Sequence, residues 1–117
     1  MELNAEVLAR YKSGQLEVQN DREGYIYRGE IAEATLEDGD LKVKFKWCAK
    51  GNGSPPTSWV KEEMPEYSAN LMIYNVAEIG DDRLAFSSFV THELLIFFLP
   101  GGSALDPARV EGLELAA

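Results

Sequence analysis

Hydrophobic and polar residues alternate most clearly between positions 41 and 47. The hydrophobic positions are Leu41, Val43, Phe45 and Trp47, and a lysine occupies each position between them. A period of two residues is typical of a β-strand with one buried and one solvent-exposed face. Asp38 and Gly39 precede this segment and can adopt the positive φ angles of a tight hairpin turn. The pattern therefore predicts a β-hairpin over 25–47.

The turn position determines which residues of the hairpin lie opposite each other. With Asp38 and Gly39 in the turn, the buried face pairs Leu36 with Leu41, Ala34 with Val43, and Ala32 with Phe45. The other face pairs Glu33 with Lys44 and Thr35 with Lys42. A slip of one residue would break both sets, so the sequence specifies the register.

The alternation changes phase near Gly29. Tyr25 and Tyr27 share one parity, whereas Ala34 and Leu36 share the other. A glycine within a strand often marks a bulge or a bend, as at the corners of small barrels. We therefore predict a bulge or sharp bend at Gly29.

Shorter elements are predicted before and after the hairpin. Asn4 can cap a helix from Ala5 to about Ser13, and Gly14 can end it. Further strands are expected near 15–19, 68–79, 83–88 and 94–99, with a loop or edge segment between 49 and 67 and a helical turn at Asp106-Pro107.

These elements predict one domain, 1–117, with a mainly β fold. The predicted architecture is a small, strongly bent antiparallel barrel with a short N-terminal helix. Its parts are the helix (1–14), the first three strands (15–48), the loop (49–67), the last strands (68–99) and the C-terminal tail (100–117).

Composition and charge narrow the classes of partner. The chain has 117 residues and a formal net charge of −9. An acidic surface repels phosphate backbones, which argues against a nucleic-acid partner. Cys48 is the only cysteine, so no intrachain disulfide can form, and a cytoplasmic location is expected. The apolar run Leu94–Leu99 is too short to cross a membrane, which requires about 20 residues.

Several short segments follow an order seen in a known family. Tyr27–Ile31 has the sequence aromatic-x-Gly-x-aliphatic after a polar turn, and Leu84–Ser88 is followed by a short turn and Leu95–Pro100. This order resembles the Sm-like small β-barrel family, and the predicted barrel is therefore Sm-like or SH3-like. The resemblance implies a homo-oligomer that closes into a ring, because Sm-like proteins pair the last strands of neighbouring subunits.

The family's RNA-binding residues do not carry over to this chain. Sm proteins use an Asp-x-x-Met-Asn turn and an Arg-Gly pair before the last strand. Glu37–Leu41 stands where the Asp-x-x-Met-Asn turn would lie, but it contains no asparagine. Ser87-Ser88 or Thr91-His92 stands where the Arg-Gly pair would lie, and neither contains Arg-Gly. The resemblance therefore supports fold and assembly but not RNA binding.

Four residues are candidates for a binding site. Lys42, Lys44 and Lys46 form a basic row that could bind phosphates or a partner's carboxylates. The alternative is a solvated face, paired with Glu33, that discourages aggregation. Trp59 lies beside a Gly/Pro loop and could stack on a ligand, or it could close the open end of the barrel.

The sequence assigns no catalytic residue, metal ligand or cofactor. His92 is the only histidine, and a general base needs an acid, a nucleophile or a metal within reach. Its neighbours Thr91 and Glu93 would point to the opposite face of a strand. Cys48 has no visible partner that would activate it.

Two functional hypotheses follow. The first is a non-enzymatic, oligomeric Sm-like barrel that acts as a binding or scaffold module for itself and for a protein or small ligand. The second is a small-ligand-binding barrel or an enzyme that uses His92. The first is favoured because Leu94–Leu99 puts large apolar side chains on both faces of one strand, and a neighbouring subunit could cover the outer face.

Overall fold

A computed structural model describes residues 3–79, 83–101 and 104–114 of the chain. The chain is mainly β-structure with one short α-helix, α1 (Ala5–Ala9). The strands are β1 (Gln15–Asn20), β2 (Tyr25–Glu37), β3 (Asp40–Asn52), β4 (Ser58–Lys61), β5 (Glu66–Asn70), β6 (Asn75–Ile79), β7 (Arg83–Ser88), β8 (Glu93–Phe98) and β9 (Val110–Glu111). Two 3-10 turns cover Leu71–Ile73 and Pro107–Arg109. No helix within the described ranges is long and apolar enough to cross a bilayer.

The helix α1 begins at the predicted cap but ends early. The Val7 amide donates to Asn4 Oδ1 at 2.9 Å, and Leu8 is fully buried. The predicted end near Ser13 is wrong because the backbone there pairs with β2. Ser13 N donates to Ile31 O, and Ile31 N donates to Gly14 O, both at 2.9 Å.

The β2–β3 hairpin has the predicted turn and most of the predicted register. Leu36 pairs with Leu41, Ala34 with Val43, Thr35 with Lys42 and Glu33 with Lys44. The pairing of Ala32 with Phe45 is wrong, since Ile31 takes that place and the register shifts on both sides of it. The irregularity therefore lies just beyond Gly29, which itself stays in the ladder opposite Leu16 and Cys48.

The strands form one sheet in the order β6-β7-β8-β1-β2-β3-β4-β9, and β5 also pairs with β3. All pairs are antiparallel except β4 with β9. The end strands β6 and β9 do not pair, so the described strands do not close into the barrel that the sequence predicted. Strand β3 is long enough to pair with β5 through its first half and with β4 through its second half, so the sheet divides beyond β3.

The loop predicted over 49–67 contains two strands, and the strand predicted over 68–79 is interrupted. Gly51 pairs with Trp59 although Gly and Pro dominate the composition of this segment. A side chain at position 51 would collide with Pro56, so the pairing requires a glycine there. Between β5 and β6, Asn70 Oδ1 accepts from the Met72 amide at 3.0 Å and starts the first 3-10 turn.

The sheet bends around one hydrophobic core. Its buried members come from α1, the turn after it and six strands: Leu8, Tyr11, Leu16, Val18, Ile31, Leu41, Val43, Ala69, Leu84, Phe86, Leu95 and Phe97. A smaller cluster of Ala49, Leu105 and Val110 lies beneath the C-terminal segment.

The apolar run in β8 is covered largely within the chain. Strand β8 lies between β7 and β1, and Leu95 and Phe97 are in the core. On the outer face, Phe98 is only 7% exposed because the guanidinium of Arg28 lies 4.4 Å from its ring centre. The run by itself therefore does not require a neighbouring subunit.

Candidate functional site

The three predicted binding lysines form an exposed row on β3. Lys44 Nζ lies 3.9 Å from Glu33 Oε2, and Lys46 Nζ lies 3.7 Å from Glu30 Oε2. Lys42 is also exposed, opposite Thr35 and Ser68. This arrangement favours the interpretation as a solvated face with glutamates beside it.

Trp59 is half-buried on β4, away from the lysine row. Its ring packs with Trp47 against the small cluster of Ala49, Leu105 and Val110. This position favours the alternative in which Trp59 covers apolar residues. The predicted binding residues are therefore not brought together.

A groove of about 520 Å³ opens elsewhere, at the end of the sheet where β1 ends and β8 begins. Its walls come from three turns that are distant in sequence: 21–24, 53–54 and 87–92. The side chains that define its chemistry are Tyr25, Ser88, Phe89, His92 and Glu93. Phe89 is 87% exposed at its edge. This combination of apolar and polar groups in a concave surface is typical of a ligand site.

Glu93 is the central polar group of this groove. Its Oε1 accepts from Tyr74 OH at 2.7 Å, and its Oε2 accepts from Tyr25 OH at 3.2 Å. Thr91 Oγ1 donates in turn to Tyr74 OH at 3.3 Å. Within the described ranges, no lysine, arginine or histidine forms an ion pair with Glu93.

The phenols around Glu93 remain protonated at neutral pH. Burial raises the pKa of Tyr25 and of Tyr74. Burial also raises the pKa of Tyr67, and its hydrogen bonds with Tyr74 and Glu93 and the charge of Glu93 add to this effect. Removing a proton there would place a second negative charge beside Glu93 in a poorly solvated site. The phenols therefore act as hydrogen-bond donors.

Asn20 joins two of the turns that form the groove. Its Oδ1 accepts from the amides of Arg22 and Glu23 at 3.0 and 2.8 Å, while its Nδ2 donates to Thr91 O at 3.1 Å. Asn20 is 8% exposed, so these bonds lie mostly out of water. They hold the turns together without a ligand.

His92 also connects these turns. Its Nδ1 lies 3.2 Å from Asp21 Oδ1, and its Nε2 lies 2.6 Å from Arg22 Nη2. Arginine can only donate, so Nε2 accepts and the proton resides on Nδ1, which donates to Asp21. Ser88 Oγ accepts from the Val90 and Thr91 amides at 3.2 Å, and among the described residues no hydrogen bond joins it to His92.

Two other kinds of chemistry are not supported by the geometry. The described residues contain no group of three or more His, Cys, Asp or Glu side chains that could hold a metal ion. Cys48 is 2% exposed, and burial raises the pKa of its thiol to about 12. A thiol in this environment is protonated and unreactive at neutral pH.

Sequence reasoning missed this groove because its parts are far apart in the chain. Tyr25 and Glu93 are separated by 68 positions, and no local pattern relates them. One signal was present: Phe89 and Val90 are adjacent apolar residues in a turn, and they are 87% and 67% exposed. An apolar pair at a turn points to a surface contact.

Comparisons of the chain with protein-family models, curated proteins and solved structures find no match.

Proposed function

We propose that this chain is a non-enzymatic binding module and that its ligand occupies the groove at the end of the sheet, where β1 ends and β8 begins. The observation that carries the proposal is a concave site of about 520 Å³ whose frame is already assembled by hydrogen bonds. A preassembled site loses little conformational entropy on binding. Phe89 adds an exposed aromatic surface at the edge of this site.

The engagement of His92 favours binding over catalysis. Both ring nitrogens have partners, Asp21 and Arg22, so neither is free to take a proton from a substrate. The net charge of −9 favours a neutral or cationic partner over a nucleic acid.

An Sm-like relationship and self-assembly are part of the same proposal. The element order, a helix, three successive paired strands and a final hairpin around one core, supports an open variant of the Sm-like fold. Self-assembly is supported by strands β5 and β6, each of which pairs on one side only among the described strands. Val76, 54% exposed on β6, offers an apolar contact for a second copy.

An NMR fragment screen tests the groove as the binding site. Uniformly ¹⁵N-labelled protein is mixed with small fragments of positive, neutral and negative charge. We expect fragments that bind to shift the amide resonances of Asn20, Tyr25, Ser88 and Glu93. The substitution Phe89→Ala should weaken the binding of these fragments. Val60→Ala, which truncates an exposed valine on β4, is the matched control and should leave binding unchanged. Shifts confined to the lysine row or to Trp59, or no shifts with any fragment, would refute the proposal.

A further inference from the structure

We propose that the groove recognises a primary ammonium group carried on an apolar stem, with Glu93 as the counter-ion. This inference rests on the proposed function and specifies the chemistry of its ligand. Glu93 faces the groove at the start of β8, and within the described ranges it has no cationic partner. A half-buried carboxylate with only neutral neighbours is a ready site for a cation.

The carboxylate of Glu93 has capacity for another donor. Tyr74 donates to Oε1 and Tyr25 to Oε2, and Tyr67 also hydrogen-bonds the carboxylate. A carboxylate has about four lone-pair sites, so three phenols leave room for a further donor. The phenols also hold the carboxylate in one orientation, which lowers the entropic cost of forming a charge-assisted hydrogen bond with a ligand.

The surrounding charges favour a cation over an anion. The turn beside the groove carries Asp21 and Glu23, and its Arg22 is engaged by His92 Nε2 at 2.6 Å. Glu93 adds a third carboxylate, so acidic groups outnumber the single guanidinium here. The net charge of −9 on the whole chain attracts cations from a distance.

The apolar side chains that line the groove explain why the proposed ligand carries its ammonium group on an apolar stem. Phe89 is 87% exposed at the edge of the groove, and Ile26 and Leu94 also line it. An alkyl chain laid against these side chains would bury apolar surface while its ammonium reaches Glu93. The face of Phe89 can also attract the cation itself. Both a free alkylamine and a lysine side chain of a partner protein have this shape.

The test compares three probes with the same stem: n-butylammonium, n-butanol and n-butyrate. Each is titrated into ¹⁵N-labelled full-length protein at neutral pH and low salt. We expect n-butylammonium to shift the amides of Tyr25, Phe89 and Glu93, with much smaller shifts from the other two. Added salt should weaken the ammonium binding, because the pair is partly exposed.

Glu93→Gln removes the charge and keeps a side chain that can bond to the tyrosines. We expect it to weaken n-butylammonium binding by about tenfold, the usual magnitude for a hydrogen bond between charged groups. Glu111→Gln, an exposed change on β9 at the other edge of the sheet, is the matched control. Equal thermal stability of the two variants would show that the fold is retained. The salt series on wild-type protein tests the charge independently of either variant.

A peptide pair identifies the source of the ammonium. A short peptide with one lysine between leucines is compared with the same peptide carrying acetyl-lysine, which lacks the charge. If the lysine peptide binds more tightly than n-butylammonium, the natural ligand is a lysine side chain of a protein. If it binds more weakly, the natural ligand is a free amine. Both outcomes support ammonium recognition. Equal binding of the two peptides contradicts it.

Failure of the inference is distinct from failure of the proposed function. If n-butanol or n-butyrate shifts the groove amides as strongly as n-butylammonium, ammonium recognition is refuted and the groove remains a binding site. If none of the probes or peptides shifts these amides, ammonium recognition is refuted, and the fragment screen decides separately whether the groove binds another class of ligand.

Discussion

Gly29 is required because groups of β3 occupy the space where its side chain would lie. A Cβ atom there would be 2.6 Å from Phe45 Cδ1 and 2.7 Å from the carbonyl oxygen of Trp47. The phenyl ring could rotate away, but the Trp47 backbone is held in the ladder opposite Glu30. Close approach therefore explains this glycine, and a side chain would force the strands apart.

We expect Gly29→Val to lower the free energy of unfolding by about 2 kcal/mol or more, and Gly29→Ala by a smaller but clear amount. Urea denaturation measures both. Gly24→Ala is the control: it has open space around it but a φ of +74°, so it should cost only about 1 kcal/mol. If Gly29→Val unfolds at the same urea concentration as wild type, the close approach is not a constraint.

The buried thiol of Cys48 makes stability depend on pH in alkaline solution. Burial raises its pKa to about 12 in the folded protein, whereas an unfolded thiol ionises near pH 8.5, about its ordinary value. Between these values the unfolded chain has released the proton and the folded chain has kept it. The stabilisation is therefore complete below about pH 8.5 and is lost as pH rises towards about 12, with a slope of up to about 1.4 kcal/mol per pH unit.

We expect Cys48→Ala to flatten this slope. Urea unfolding of wild type and variant is compared from about pH 8 to about pH 10. The raised pKa values of Tyr25, Tyr67 and Tyr74 affect both proteins alike, so the difference between the two curves reports on Cys48. Wild type should lose stability faster than the variant as pH rises. Parallel curves would show that the folded thiol ionises as easily as the unfolded one.

At the scale of elements, β1, β2 and β8 are joined on their outer face by one cluster. Arg28 of β2 bonds Glu17 of β1, with Nη2 2.9 Å and Nε 3.2 Å from Oε1, and its guanidinium covers Phe98 of β8. The side chains of Arg28 and Glu17 are 14% and 11% exposed, so this ion pair is mostly removed from water. Its loss would leave a buried carboxylate without a cation.

We expect Arg28→Ala to lower the free energy of unfolding by about 3 kcal/mol, since it both uncovers Phe98 and leaves Glu17 uncompensated. Lys46→Ala removes the cation of an exposed pair with Glu30 and should cost less than about 1 kcal/mol. Thermal and urea melts compare the two. A loss below 1 kcal/mol for Arg28→Ala would mean that water reaches this cluster.

At the scale of the whole molecule, self-assembly depends on the edges of the sheet. The outer face of β8 no longer supplies the reason for a homo-oligomer, because Arg28 covers Phe98. Strand β6 supplies another: it pairs with β7 on one side only among the described strands, and Val76 is 54% exposed. An unprotected edge can pair with a strand of a second copy.

We expect light scattering after size exclusion to give a multiple of 13.0 kDa, and Val76→Lys to shift the protein towards the monomer. Val60→Lys changes a 38% exposed valine on β4, between β3 and β9, and should leave the mass unchanged. A single species of 13.0 kDa for wild type at micromolar concentration would contradict the prediction of an oligomer.

The amino-acid pattern was sufficient to predict the features that depend on neighbours in the chain. Alternation of side chains and the Asp38-Gly39 turn specify the hairpin register near Leu41 and Val43, because a slip would expose one whole face. The Asn4 cap acts over three residues, and β7 matches its predicted bounds of 83–88. These features were predictable because their causes are local.

The features that join distant segments became visible in the folded chain alone. Periodicity does not encode which strand pairs with which, so neither the division of β3 between β4 and β5 nor the open sheet could be deduced. The prediction that the outer face of β8 needs a neighbouring subunit to cover it did not allow for an arginine, whose charged group can cover an aromatic ring. The groove depends most on tertiary structure, since Glu93 acquires its three phenol partners only when the curved sheet brings Tyr25, Tyr67 and Tyr74 to the start of β8.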